Sequence, residues 1–246
     1  MDIKPIKTRP FLPPKDSLSD LLEAIPIMKE KSVIDITSKV ISICQGRCIS
    51  INSVKNKDEL IKKEADFYLD REEVPNKWVM LTIKNNILIP TAGIDESNGN
   101  GYYILWPANP FGAARQIYDF LKKKFSLREL GIIISDSHTT PLRWGTTGIA
   151  ISSYGFNPLK DYRGSKDIFG REMKITQANV ADSIASAATL VMGEGNEQTP
   201  LAIVEDTGFI EFQEMEAKED QLKIDRHEDI YGPLLNNVNW KSQPVS

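Results

Sequence analysis

Three segments of this chain have the same form: an apolar run ends, and carboxylates, glycines and small polar residues follow. The acids are Asp95 in NILIPTAGIDESNGN, Asp136 in LGIIISDSHTTPLRWGTTG and Glu194 in LVMGEGNEQTP. Loops at the ends of core elements are where rigid scaffolds usually carry functional side chains. Three carboxylates that converge repel one another unless a cation lies between them. Oxygen ligands from Asp, Glu and Ser suit Mg²⁺ or Mn²⁺, so the pattern predicts a divalent-cation site.

Each of these segments also has a plain structural interpretation. An Asp after a strand is commonly a turn residue or a helix cap, and Gly193 and Gly195 are natural stop residues for a helix. The chain contains no Walker motif, no GxSxG and no HExxH. The only two histidines, His138 and His227, argue against a histidine-rich metal site. The acids are therefore candidates for chemistry, but their residue types alone do not assign it.

Composition narrows the class of protein. The 246 residues are 41% hydrophobic and 26% charged, which fits one large domain or two small ones with a shared core. The net charge of −4 gives no reason to expect nucleic-acid binding. No apolar run approaches the ~20 residues that span a bilayer, and the N-terminus lacks the apolar core of a signal peptide. We expect a cytoplasmic protein that binds neither nucleic acid nor membrane, with Cys44 and Cys48 as free thiols.

The elements that must position the acids follow from hydrophobic periodicity. Strands are predicted at 32–37, 48–51, 78–83, 86–90, 102–107, 130–135 and 201–206. Helices are predicted at 18–24, 38–45, 57–69, from a start after Pro110 through 122, and at 175–192. Residues 147–155 fit a strand or a buried helix, and Lys84-Asn85 resembles a hairpin turn. The last helix would bury Val180, Ile184, Ala187, Ala188 and Val191. Because strands and helices mix without strict alternation, the prediction is an α+β fold with mixed sheets and packed helices.

Taken together, these segments resemble the coenzyme F420:L-glutamate ligase family from about residue 34 to residue 206. The resemblance is carried by AGIDESN (92–98), IISDS with the following P, R and G (133–145), GIAISSYGFNPLKDYRGSKDIFGREM (148–173) and QANVADSIASAATLVMGEG (177–195). DYRG followed by DIFGREM is the most specific stretch, because several irregular positions recur in fixed order. The resemblance implies two intertwined α+β subdomains within residues 1–213 and a homodimer. Residues 214–246 form a polar tail, expected to be partly disordered or to wrap a partner.

The resemblance also implies roles for individual residues. Asp95 and Asp136 match the acids that hold one divalent cation, while Ser137, where the family usually has Thr, and Glu194 match ligands of a second. The residues that match nucleotide contacts are Asn98, Met192, Gly193, Gly195, Asn196, Glu197, Gln198 and Thr199, with Arg9, Pro10, Phe11, Leu12, Ser38 and Lys39 in a looser alignment. Arg143 is the candidate catalytic side chain, since its planar fork suits a transferring phosphoryl group or a substrate carboxylate.

The implied reaction joins L-glutamate to an acid acceptor through an acyl phosphate formed from GTP or ATP. Mg²⁺ or Mn²⁺, expected as two ions, would assist it, and K⁺ is a candidate further ion. The acceptor is expected to be a coenzyme F420 precursor or a different acid such as a folate. A non-catalytic nucleotide- or metal-binding homologue is the alternative of a different class. Retention of three acids argues against that alternative, because unpaired buried charges are costly once function is lost.

Some positions depart from the family pattern. The usual SKAEG-like stretch is SICQG (42–46), and the usual DTxGRPWRxG is DSHTTPLRWG (136–145). Ile43, Thr139, Thr140 and Leu142 thereby replace a charge, a glycine, an arginine and an aromatic ring. Because the metal acids remain, we predict that nucleotide binding survives and that the acceptor pocket differs.

Overall fold

The structure is a computed structural model that describes residues 1–213 and 221–243. Its strands are β1 Asp2–Ile6, β2 Ser32–Thr37, β3 Cys48–Ser50, β4 Phe67–Tyr68, β5 Leu81–Lys84, β6 Ile87–Pro90, β7 Tyr102–Ile104, β8 Leu130–His138, β9 Thr147–Tyr154, β10 Leu159–Asp161, β11 Gln177–Asn179 and β12 Leu201–Glu205. Its α-helices are α1 Leu18–Glu23, α2 Ser38–Cys44, α3 Lys57–Glu64, α4 Pro110–Phe125, α5 Val180–Met192 and α6 Gly232–Leu235. The α+β prediction is confirmed.

Within the described part of the chain, the main sheet has five strands in the order β1-β12-β2-β8-β9. Strands β2 and β8 run parallel, and the other neighbours are antiparallel. One face of the sheet packs against α1, α2 and α4 through residues such as Ile36, Ile41 and Ile117. The opposite face packs against α5 through residues such as Val33 and Ile184. Helices on both faces leave the strand ends, rather than the strand middles, free to carry polar side chains.

The two longest helices begin and end at residues suited to those positions. Asn109 caps α4 by accepting the Gly112 N–H, and Pro110 occupies the first turn. Asn179 caps α5 by accepting the Asp182 N–H, and α5 ends at Gly193, whose φ of 83° favours glycine. Because α5 ends at Gly193, the glycine-containing loop 193–199 begins at a fixed position beside the main sheet.

A second group of short elements comprises α3, the sheet β4-β5-β6 and the ribbon β3-β7, around a core that includes Ile61, Met80 and Tyr103. The described part of the predicted tail packs on this group. Lys241 pairs with Tyr68 of β4 in a β-bridge, and its ammonium lies 2.6 Å from Asp70. Residues 214–220 and 244–246 lie outside the described residues.

Two sequence predictions in this second group are wrong in detail. The helix predicted over 57–69 ends at Glu64, because Phe67 and Tyr68 instead pair with β5. Aromatic residues fit a strand once a partner is present, and tertiary pairing overrides a helical pattern. The hairpin turn is not Lys84-Asn85 but Asn85-Asn86, whose φ values of 50° and 65° are those of a two-residue turn that suits asparagine.

The predicted helix over 175–192 is also shorter, although its predicted buried face is confirmed at Val180, Ile184 and Ala188. It begins at Val180, since residues 177–179 form β11 and pair with β10. Its buried side includes Ala181, Ala185 and Thr189, whereas Val191 is exposed. Residues 147–155, left open by the sequence, form strand β9. No helix within residues 1–213 and 221–243 is long and apolar enough to cross a membrane.

Candidate functional site

A cavity of about 750 Å³ opens where the ends of β2, β6 and β8 meet the loop after α5. It is lined by most of the residues predicted for the site: Arg9, Pro10, Phe11, Leu12, Lys39, Asp95, Asn98, Asp136, Ser137, Met192, Gly193, Glu194, Gly195, Asn196, Glu197, Gln198 and Thr199. These residues are up to 190 positions apart in the chain, from Arg9 to Thr199. The fold thus brings the three acidic segments and the N-terminal segment to one place.

Asp136 lies at the floor of this cavity, near the end of β8. Its Oδ1 accepts the Ser137 N–H at 2.9 Å, and its Oδ2 accepts the indole N–H of Trp106. Removal from water raises the pKa of Asp136 to about 6, and nearby Asp95 adds to the rise while the Trp106 hydrogen bond opposes it. A carboxylate that is partly desolvated and near a second acid favours the approach of a cation.

Asp95 follows β6 and faces the same space. Its Oδ1 accepts the N–H of Ser97 at 2.9 Å and the Ser97 hydroxyl at 2.8 Å. Its Oδ2 lies 2.5 Å from the Lys39 ammonium, which also donates to the Ser97 carbonyl at 3.1 Å. The Lys39 ammonium group therefore lies against one side of the Asp95 carboxylate. Asp95 is held in place and already carries a positive partner.

Glu194 and Ser137 form a second polar pair at the rim. The Ser137 hydroxyl donates to Glu194 Oε1 at 2.5 Å. The loop that carries Glu194 is tied across the cavity, because the Asn98 side-chain amide donates to the Gly195 carbonyl at 2.9 Å. Inside the loop, Glu197 accepts the Gly195 N–H at 2.8 Å. The loop is thus fixed both to the Asp95 segment and to itself.

The donor atoms at the cavity fit cations that prefer oxygen ligands better than softer metals that prefer sulfur or nitrogen ligands. Asp95, Asp136, Glu194 and Ser137 offer only oxygen ligands, which Mg²⁺ and Mn²⁺ prefer. Within the described ranges, no three His, Cys, Asp or Glu side chains already form a metal cluster. Mg²⁺ is usually bound by one or two carboxylates, with water and substrate phosphates completing the octahedron. The acids could therefore hold a cation whose remaining ligands are water or phosphate oxygens.

The N-terminal segment forms another wall of the cavity. The Arg9 guanidinium lies 2.7 Å from Asp16 and 2.6 Å from Asp20, and it stacks 4.8 Å from the Phe11 ring centroid. The Thr8 N–H donates to the Gln198 carbonyl at 2.9 Å. This hydrogen bond joins the N-terminal segment to the loop after α5.

Two predicted site residues are not part of the lining within the described chain. Ser38 is buried in the first turn of α2, with its neighbour Lys39 facing the cavity instead. Arg143 lies in an exposed turn between β8 and β9. Of the positions that depart from the family pattern, Ile43 and Thr139 line the cavity, whereas Thr140 and Leu142 are exposed outside it.

Sequence reasoning missed Trp106 as a site residue, because an apolar run ending in WP indicated core packing. Trp106 is indeed only 1% exposed, yet its one polar atom is bonded to Asp136. Buried Trp residues usually find a partner for the indole N–H. This rule predicts that the Trp106 N–H has a hydrogen-bond partner, but it does not identify Asp136 as that partner.

The sequence profile of the family described as F420-0:gamma-glutamyl ligase matches residues 10–206. The chain belongs to this family. The match to the F420-0:gamma-glutamyl ligase family covers Asp95, Asp136, Ser137 and the loop 193–199, and it leaves out Arg9 and the residues after 206. The resemblance inferred from the sequence motifs is therefore confirmed, and the acids at the cavity lie inside the matched region.

Curated relatives within the F420-0:gamma-glutamyl ligase family are named coenzyme F420:L-glutamate ligase. The protein of Methanopyrus kandleri is 32% identical over 218 residues, which cover 82% of this chain and 85% of the relative. The protein of Methanocaldococcus jannaschii is 34% identical over 201 residues, with 76% and 80% covered. That of Archaeoglobus fulgidus is 32% identical over 218 residues, with 83% and 87% covered.

Proposed function

We propose that this protein is a metal-dependent ligase that joins L-glutamate to an acid acceptor through an amide bond, at the expense of GTP or ATP. The observation that carries the proposal is the cavity, which gathers Asp95, Asp136, Glu194 and the loop after α5. The names of the relatives support glutamate as one substrate and a coenzyme F420 precursor as the first acceptor to test.

The proposed chemistry has two steps. A carboxylate oxygen of the acceptor attacks the γ-phosphorus of the nucleotide, and the nucleoside diphosphate leaves, which produces an acyl phosphate. The glutamate amine then attacks the acyl carbon, and inorganic phosphate leaves as the amide forms and a proton is released. Activation is needed because an oxide ion is too poor a leaving group for direct attack on a carboxylate.

The protein's own residues would bind, orient and shield the reactants. Asp95 and Asp136 would hold one divalent cation and Ser137 with Glu194 a second, and such ions neutralise charge on the phosphates when bound. Asn98 and the loop 193–199 would lie along the nucleotide. Arg143 would reach the phosphoryl group or a substrate carboxylate only if its exposed turn moved towards the cavity. K⁺ remains a further candidate, with no residue assigned to it.

The cavity wall differs from the usual family pattern at two positions, and this difference favours an acceptor other than the one usual for the family. Ile43 lies on the lining where the family usually has a charged residue, and Thr139 lies there in place of a glycine. An apolar side chain in place of a charge cannot pair with an anionic group, and loss of a buried charge contact costs ~2–5 kcal/mol. The exposed positions Thr140 and Leu142 are expected to have less effect on acceptor binding.

We expect the purified protein to incorporate radiolabelled glutamate into an acceptor when Mg²⁺ or Mn²⁺ and GTP or ATP are present. The assay uses each nucleotide with a panel that includes a coenzyme F420 precursor and folates. Release of inorganic phosphate should require both glutamate and the acceptor. Nucleotide hydrolysis that is independent of both substrates, with no labelled product from any acceptor, would contradict the ligase proposal.

We further propose that the protein is a homodimer, and we expect light scattering at micromolar concentration to give twice the mass of one chain. The arm between β10 and β11 supports this, because Ile168 and Phe169 are 91% and 90% exposed and exposed apolar clusters commonly mark interfaces. A variant with Ile168→Ser and Phe169→Ser should give more monomer, whereas Ile27→Ser, at another exposed apolar residue, should not. A single-chain mass for the unmodified protein would contradict the proposal.

A further inference from the structure

We infer that Trp106 is a positioning residue, whose indole N–H orients Asp136 for cation binding. The inference rests on the proposed function, since it assumes that Asp136 binds a divalent cation. The indole nitrogen donates to Oδ2 of Asp136, while the Ser137 N–H donates to Oδ1 at 2.9 Å. Each carboxylate oxygen accepts up to two hydrogen bonds or ligands. Both oxygens therefore keep one free position while the plane of the carboxylate is fixed.

The surroundings of Trp106 hold its ring in one orientation. A Cβ atom added at Gly93 would lie only 2.1 Å from the indole nitrogen, so the backbone at residue 93 packs directly against the ring. The φ of Gly93 is +68°, a conformation that also favours glycine. Because no side chain intervenes, the ring edge lies between the backbone of the Asp95 segment and the Asp136 carboxylate. One indole thereby fixes the spacing between two acidic segments.

A partly buried ion cluster also contacts Trp106. Arg47 Nε donates to the Trp106 carbonyl at 3.1 Å, and its guanidinium lies 2.8 Å from Glu64. The Lys84 ammonium lies 2.7 Å from the same Glu64 carboxylate and 5.8 Å from the centroid of the Trp106 ring. Lys84 is only 7% exposed. A buried charge such as the Lys84 ammonium needs partners with good geometry, and here those partners are the Glu64 carboxylate and the face of the Trp106 ring.

Partners that orient a metal-binding side chain affect metal affinity although they do not touch the metal. Loss of the indole N–H would let the Asp136 carboxylate rotate and would leave Oδ2 without its donor. The inference therefore concerns affinity for the cation rather than the fold alone.

The test is the Trp106→Phe variant of the full chain, which keeps an aromatic ring and removes the N–H. Binding of Mn²⁺ is measured by electron paramagnetic resonance with and without guanosine diphosphate. We expect Mn²⁺ to bind Trp106→Phe ~10- to 100-fold more weakly than the unmodified protein. Trp240→Phe is the matched control, because the Trp240 N–H donates to the Leu235 carbonyl at 2.8 Å, away from the cavity lining. Its Mn²⁺ affinity should not change.

A second readout does not depend on any cation. The chain has four tryptophans, and a spectrum of protein with ¹⁵N-labelled tryptophan should show one indole signal for each. The signal that is lost in Trp106→Phe identifies Trp106. Asp136→Asn should shift the Trp106 signal more than the signals of the other three tryptophans, because the carboxylate that accepts the Trp106 N–H is replaced by a neutral amide.

Mn²⁺ affinity equal to that of the unmodified protein in a folded Trp106→Phe variant would overturn the inference and leave the proposed function standing. Absence of Mn²⁺ binding by the unmodified protein with nucleotide would overturn both. If Trp106→Phe does not fold, Arg47→Lys provides the test, because it keeps a cation near Glu64 and loses the fork that reaches the Trp106 carbonyl. We expect weaker Mn²⁺ binding there too, and an unchanged affinity would overturn the inference.

Discussion

The Asp136→Asn variant should transfer glutamate at least about 1,000-fold more slowly than the unmodified protein, which corresponds to about 4 kcal/mol of transition-state stabilisation. Asn has nearly the same shape but carries no charge, so it removes a cation ligand without removing volume. Asp136 also lies at the cavity floor between the Trp106 indole and the Ser137 N–H. The loss should appear in kcat at saturating nucleotide, because charge that develops on the phosphates would lack its compensating ion.

The same variant should remain folded. Burial raises the pKa of Asp136 to about 6, so the folded state holds a proton that the unfolded chain releases between about pH 4 and pH 6. The Asp136 carboxyl therefore makes the free energy of unfolding lower above pH 6 than below pH 4. A neutral amide in its place removes this loss of stability. Thermal unfolding at pH 7.5 provides the check, with Asp119→Asn on the exposed face of α4 as the control. A folded Asp136→Asn variant with normal glutamate transfer would exclude a role for this acid.

A second large effect is expected at Asp35, in the middle of β2. Asp35 is 0% exposed, and neither carboxyl oxygen makes a hydrogen bond of normal geometry within the described residues. Burial raises the pKa of Asp35 to about 8, and the nearby Ser135 hydroxyl and Ile36 N–H oppose the rise only in part. The folded state keeps this proton up to about pH 8, whereas the unfolded chain releases it near its ordinary pKa of about 4.

The direction in which stability changes with pH follows from this difference in proton binding. Between about pH 4 and pH 8 the folded state binds more protons than the unfolded state, so the free energy of unfolding falls as pH rises. The loss attributable to Asp35 reaches at most about 5.5 kcal/mol over this window, at 1.36 kcal/mol per pKa unit. Urea unfolding at pH 5, 6.5 and 8 measures it. We expect Asp35→Asn to flatten the decline, while Asp119→Asn retains it, and parallel curves for Asp35→Asn and the unmodified protein would contradict this assignment.

Strands made of apolar runs were predictable because burial on both faces leaves a continuous signal. SVIDIT and LGIIIS both became strands of the main sheet, in parallel register. What could not be predicted is that a polar residue within one of these runs, Asp35, is fully buried. Asp35 looks like an edge or turn residue by type, and only the packing of α5 over that face leaves it without water.

The acids of the candidate site were predictable from their position after core segments and from the family resemblance. Their immediate partners were not. The Lys39 ammonium on Asp95 and the Trp106 indole on Asp136 join residues 56 and 30 positions apart. Such contacts depend on how sheets and loops meet in space, and no local pattern of residue types encodes them.

The order of strands in the main sheet has a consequence for the way this chain folds during synthesis. Strand β2 lies between β8 and β12, and among the strands that the structure describes β1 pairs with β12 alone. Strand β2 can therefore pair with β8 once residues 130–138 have been made, but β2 gains its second neighbour, and β1 its partner β12, only after residues 201–205 have left the ribosome. Contacts of such long sequence separation form slowly, and unpaired strands of a nascent chain are prone to aggregation. The cavity, whose walls include residues 8–12 and 192–200, is completed only after nearly the whole chain has been made.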